Sequence, residues 1–313
     1  MITSVFSKSR PINYILITTL LIICFLLYQF RINFNTITAI EIAKIGLLLV
    51  LLIGSLFITN FITKKNGLSK DNSYTFLFFF IFLILFPKSL ANGSMIISNG
   101  LILLALRRLI SMQSLITPKE KIFDASIWIF VASLFNFWCI LFIILVFLSI
   151  IFHVSRDHRN WIIPFIALFT VVIITLMLSL AFYPSFIEEY SKQMVVDFDF
   201  RYFENIFQNV AIAIYILTAM VAFFSMLFIL PKKLSNLHSA YRKVMFSFLI
   251  GLAIYFISPN KDNSFLIYTF VPTAIMLTNY LETIQKYWIK EVIVGIIATA
   301  SLVTYILQIV QFV

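Results

Sequence analysis

Long apolar runs broken by short basic or turn-forming segments make up most of the chain. Residues 14–30 and 42–62 each approach the roughly 20 residues that cross a bilayer as one helix. Residues 74–86 and 94–106 fall short of that length and are separated by PKSLANGS, whose Pro, Gly and Asn mark a turn, so they predict a short helical hairpin. The run 123–153 is about 31 residues, or about 46 Å as one helix, long for one crossing and short for two. Further apolar runs follow at 161–183, with Pro164 inside, and at 209–230, 244–257, 265–281 and 292–313.

A polar notch at Asn136, Phe137, Trp138 and Cys139 divides the long run near its middle, and charge decides how to read it. With two crossings there, 17 of the 23 basic residues fall on the side of the N-terminus and six on the other. With one crossing the later segments flip, and the split becomes 12 against 11. Cytoplasmic segments carry an excess of Lys and Arg, so the two-crossing reading is preferred, with short helices accommodated by tilt or local thinning. The expected architecture is all-α: a polytopic transmembrane bundle of about eleven crossings in a single domain, 1–313. Its N-terminus is cytoplasmic and its C-terminus periplasmic. The first run follows Lys8 and Arg10 as in a signal sequence, yet RINFNTITAIE offers no small-x-small cleavage site, so a retained helix is expected.

Composition agrees with the pattern. At 62% hydrophobic and 12% charged residues, with mean hydropathy +1.03, the chain has too little polar surface to cover a water-soluble globule. The net charge of +10 sits mainly in the segments assigned to the cytoplasm, where it orients the chain and attracts anionic headgroups. No nucleic-acid partner is expected, because no basic face stands outside the membrane context. Cys24 and Cys139 lie within apolar runs and read as buried small side chains.

Few polar groups can carry chemistry. Arg107 and Arg108, followed by LISMQSLI, suggest an interfacial amphipathic helix whose guanidinium groups grip a lipid phosphate; the alternative is a topogenic charge cluster. The outer segment YPSFIEEYSKQMVVDFDFRYFENIF gathers carboxylates, one arginine and many aromatic rings. If extended, 197–201 places Asp197, Asp199 and Arg201 on one face and Phe198 and Phe200 on the other. A carboxylate there can act as general base and Arg201 can hold a phosphate leaving group, with Tyr190 and Tyr202 among the stacking aromatics; the alternative is a solvated loop with an aromatic belt. Glu41 is a further candidate acid, or simply a partner of Lys44. His153, His158 and His238 all lie in cytoplasmic segments, so no metal site is expected, and nothing in the sequence names a cofactor.

MITSVFSKSRPINYIL, LLALRRLISMQS and KIFDASIWIFVASLFNFWCILFIILVF resemble an uncharacterised family of multi-pass inner-membrane proteins from Bacteroidetes-type bacteria. More distantly, a basic segment followed by two short helices is similar to the central part of GT-C glycosyltransferases. That resemblance implies transfer of sugars from a polyprenyl-phosphate carrier at the outer leaflet, with Asp197, Asp199 or Glu41 as base. The chain departs from the pattern after its first helix, where a catalytic acid in a large loop is usual and only Glu41 is offered. Two other expectations stand beside the transferase: a non-enzymatic partner of an envelope synthesis or secretion complex, and a transporter of lipids or small molecules. All three place the chain in a bacterial inner membrane, in contact with lipid.

Overall fold

The most apolar run of the chain, YTFLFFFIFLIL, becomes the helix at its centre. The computed structural model describes residues 2–32, 38–198, 206–259 and 262–310. All of the described regular structure is helical: α1 (Ile2–Phe6), α2 (Pro11–Ile32), α3 (Ala39–Lys65), α4 (Tyr74–Leu85), α5 (Lys88–Ala91), α6 (Gly93–Ile110), α7 (Pro118–Phe135), α8 (Ile143–His153), α9 (Arg159–Phe182), α10 (Phe186–Lys192), α11 (Ile206–Ile229), α12 (His238–Ile257), α13 (Ile267–Thr283) and α14 (Tyr287–Val310), with short 3-10 turns between some of them. Every residue of α4 is buried, as expected of a helix apolar on all sides. It packs against α13, nearly all of whose residues are buried as well.

Polar side chains on α13 find partners among its neighbours, because an unpaired polar group in this interior is costly. Thr278 meets Thr75 of α4 at 3.0 Å, and the Tyr215 hydroxyl of α11 meets Thr269 at 2.6 Å and Thr273 at 3.0 Å. Around Tyr215 the rings of Phe82, Phe86 and Phe270 pack edge-on, tilted or stacked, with centroids 5.2–6.0 Å apart. By contrast few residues of α9 are buried, and it leaves Ile162, Phe165, Phe169, Met177 and Leu180 exposed. Such an outer surface belongs against lipid.

Hydrogen bonds and ion pairs fix which helix ends lie together. At one end, Asn13 at the start of α2 reaches Ser73 before α4, and Thr3 bonds to Glu291 at the start of α14. Lys70 N–H and Asn72 donate to Glu282 at the end of α13, while Lys233, after α11, lies 4.0 Å from the same carboxylate. Lys121 of α7 donates to Ser111 beyond α6, Lys243 of α12 donates to the Leu109 carbonyl, and the His153 ring at the end of α8 meets Ser239. At the other end, Asn136 after α7 donates to the Tyr268 hydroxyl at the start of α13 and approaches the Met95 sulfur at the start of α6. Asp197 N–H donates there to the Ile257 carbonyl at the end of α12.

The chain therefore reverses between Lys121 and His153, and the break falls at Asn136, where α7 ends and a 3-10 turn over Phe137–Phe142 leads into α8. Asn136 sits in the extended region (φ −146°), which a helix cannot continue. Eight helices among the described residues are long and apolar enough to cross a membrane, against the eleven crossings expected. The shortfall has a simple origin. Tyr74–Leu85 and Phe137–His153 are shorter than a standard span, and the first two turns of α7 carry Lys119, Glu120, Lys121 and Asp124.

Three local readings change. The helix expected at 94–106 continues to Ile110, so Arg107 and Arg108 close its last turn instead of opening an interfacial helix; Leu109 and Ile110 after them are buried, and arginines suit the negative end of the helix dipole. Glu41 completes a capping box with Thr38 instead of pairing with Lys44. The helix expected to begin at Val244 begins at His238, which carries Lys243 into a fully buried position.

Candidate functional site

Among the described residues, Arg107 and Arg108 lie at one end of the bundle and Tyr190 and Asp197 at the other. At the basic end, a cavity of about 370 Å³ opens between the ends of α3 and α6 and the start of α7. Its wall carries four cations, Lys65, Arg107, Arg108 and Lys121, with the polar side chains of Asn66, Ser111, Gln113 and Ser114.

Each cation is placed by a specific contact. Phe61, one turn before Lys65 on α3, takes the Lys65 ammonium at 5.0 Å and the Arg107 guanidinium at 4.5 Å from its ring centroid. Arg108 pairs with Asp124 of α7 at 2.8 Å, tying α6 to α7; both side chains are partly exposed, so the pair contributes at most about 1 kcal/mol. Lys121 is buried and donates to the Ser111 carbonyl and the Ser114 hydroxyl, both at 2.9 Å. Behind the wall the buried Lys243 donates to the Leu109 carbonyl. Two ammonium groups thus reach the Leu109 carbonyl at the end of α6 and the Ser111 carbonyl in the turn after it.

Charge and hydrogen bonding in the cavity are both unbalanced. Among the described residues, Asp124 is the one carboxylate within ion-pair distance of any of the four cations, and it faces Arg108. Gln113 Oε1 is buried in the wall without a donor. A second, wider recess of about 950 Å³ shares Phe61, Lys65 and Arg107 with the first and runs along Phe57 and Ile58, up α3 toward the bundle's middle. Phe57 and Phe61 are exposed on that side. The arrangement suits an anion whose attached apolar chain lies outside the bundle.

At the opposite end, α10 docks on the fold-back. Tyr190 stacks on Phe186 at 5.8 Å and meets Phe137 edge-on at 5.7 Å, while Phe137 N–H donates to Gln193. Burial there pushes the Tyr190 phenol above its usual pKa, opposed in part by a hydrogen bond with Ser133. Asp197 is half-buried, its N–H on Ile257, and Asp199, Arg201 and Tyr202 lie outside the described residues. No three His, Cys, Asp or Glu side chains converge as metal ligands among the described residues.

A family model matches the whole chain, residues 1–313. The chain belongs to that family, DUF6427, a family of unknown function. No curated protein and no solved structure matches the chain. For this member of DUF6427 the functional reading therefore rests on the two ends just described. Sequence reasoning singled out Arg107, Arg108, Tyr190 and Asp197, but not Lys65, Phe61, Gln113, Lys121 or Asp124. The only trace of that second group in the sequence is the position of Lys65 and Lys121 beside helix boundaries. That they face one cavity follows from α3, α6 and α7 meeting side by side.

Proposed function

We propose that the protein is a multi-pass protein of a bacterial cytoplasmic membrane that holds the phosphate of an anionic lipid in the cavity at its basic end. The observation that carries this reading is the cavity itself: four cations line it, one of them paired with the Asp124 carboxylate, and it adjoins a recess lined by Phe57 and Phe61. Arginine and lysine at a helix end beside a membrane surface attract anionic lipid, and arginine matches phosphate oxygens in a bidentate fork. The same reading takes α7 and α8 as crossings and counts eleven, with the N-terminus in the cytoplasm and the C-terminus in the periplasm. Its support is the 17-to-6 distribution of basic residues, which puts the cavity on the cytoplasmic side.

A second reading, a GT-C-like transferase using a polyprenyl-phosphate-linked sugar, draws on the other end. Its support is the docking of Tyr190 on Phe137, which holds the start of the acidic segment against the bundle. Asp197 or Asp199 would act as base, Glu41 as a further acid, and Arg201 and Tyr202 would contact the donor.

One experiment separates the two. The purified full-length chain is titrated with mixed micelles containing anionic or zwitterionic phospholipid, as wild type, as Arg107→Gln/Arg108→Gln, and as Asp197→Asn/Asp199→Asn/Arg201→Ala. At about 1 kcal/mol per cation, loss of the two arginines weakens anionic-lipid binding by about 2 kcal/mol, roughly thirtyfold. The acidic-segment variant binds as wild type. The reverse pattern favours the second reading, and unchanged binding in the arginine variant overturns the first.

A further inference from the structure

Resting on the phosphate-lipid reading, the cavity's charge balance says more about which lipid it takes. After Asp124 is set against Arg108, three cations, Lys65, Arg107 and Lys121, line about 370 Å³ with no carboxylate within ion-pair distance among the described residues. Lys121 is 8% exposed, and it donates to two neutral acceptors, Ser111 O and Ser114 Oγ. A phosphodiester headgroup brings one negative charge, whereas a phosphate monoester brings about −1.5 to −2 at neutral pH because its second pKa is near 6. The monoester also presents three terminal oxygens, enough to meet an arginine fork and lysine donors together. In its singly protonated form it carries an O–H that can donate to Gln113 Oε1, the buried acceptor in the same wall.

The neighbouring recess argues that the phosphate belongs to a lipid. Phe57 and Ile58 extend the site along α3 away from the basic end, and Phe61 holds Arg107 and Lys65 at the junction of the two spaces. A soluble anion has no use for that apolar path. An acyl or prenyl chain lying along it brings its first phosphate to Arg107.

We infer that the cavity is a binding site for a lipid phosphate monoester, such as a diacylglycerol or polyprenyl phosphate, selected over phosphodiester lipids by its surplus of cations. The test titrates the full-length protein in neutral-detergent micelles with phosphatidic acid and with phosphatidylglycerol of identical chains, at pH 8 and pH 5, and with soluble glycerol 3-phosphate as competitor. At pH 8 phosphatidic acid binds at least about tenfold tighter, and at pH 5, where the monoester carries about one charge, the preference falls below about threefold. Lys65→Gln and Arg107→Gln, both at side chains that rest on the Phe61 ring, abolish the preference while gel filtration confirms a folded protein. Equal binding of the two lipids at pH 8, with both still weakened by Arg107→Gln, overturns the monoester inference and leaves phosphate binding standing. Binding of both lipids that ignores Arg107→Gln overturns the site itself. Glycerol 3-phosphate competing as well as phosphatidic acid overturns the lipid component.

Discussion

At Gly251, α12 comes close against the central α13. A methyl group built on it would lie 2.7 Å from Thr269 Cγ2 and 3.2 Å from the Tyr268 carbonyl carbon, so the two helices can pack at this distance only without a side chain there. Neither neighbour yields easily: Tyr268 is buried and held by Ser98 at 2.6 Å and Asn136 at 3.0 Å. Gly251→Ala is expected to destabilise the protein by about 1–3 kcal/mol through overpacking. Gly54→Ala, with nothing within 4 Å of the added methyl, is expected to be neutral or to stabilise by up to ~1 kcal/mol through helix propensity. Thermal unfolding of both variants in one detergent checks the contrast, and equal shifts would contradict this account of the α12–α13 contact. In the sequence these two glycines look alike, each standing within an apolar run. Lys243 shows the same limit: beside Arg242 it reads as one more cytoplasmic cation, yet the fold buries it completely.

Among elements, the pair α7 and α8 carries the chain to the far end and back, and its return is secured at both ends. Asn136 bonds across to α13, and the turn after α8 is fastened by an ion pair between Asp157 and Lys119 at 3.1 Å. The Lys119 ammonium and the Arg159 N–H hold the Asp157 carboxyl below its ordinary value of 3.8. A depressed carboxylate stabilises the fold above its unfolded pKa and loses that contribution as pH falls through the folded value. Wild type is therefore expected to unfold at a higher temperature than Asp157→Asn at neutral pH, with the gap closing as pH drops below 3.8. Because Asp157 is exposed, the gap is small and shrinks with salt. Melting curves across pH at two salt concentrations check both statements; a gap that widens on acidification would refute the sign. The notch at Asn136 was legible as a break because a polar residue interrupts an apolar run too long for one helix. What Asn136 bonds to was not legible, since Tyr268 is 132 residues away.

At the scale of the whole molecule, the reversal at Asn136 places the His153 end of α8 and the Tyr190 end of α10 at opposite ends of the bundle. Ser155 and Ser191, exposed beyond those two points, make clean reporters. A cysteine at Ser191 is expected to react with a membrane-impermeant thiol reagent in permeabilised-envelope cells, and one at Ser155 only after the cytoplasmic membrane is opened. The natural Cys24 and Cys139 are buried and stay silent. Labelling of both positions from one side would remove the crossings assigned to α7 and α8 and the cytoplasmic placement of the cavity. By itself, the sequence determined that the chain is a helical membrane bundle, where its long helices run, and which segments gather the positive charge. Those properties depend on composition and on neighbours a few residues apart, which any stretch of chain displays. Tertiary structure alone decided that Lys65, Arg107, Arg108 and Lys121 surround one cavity, that Lys243 is buried beneath it, and that Tyr190 rests on the fold-back. Such groupings arise from packing between helices far apart in the chain, and no local pattern of residues records which helix faces will meet.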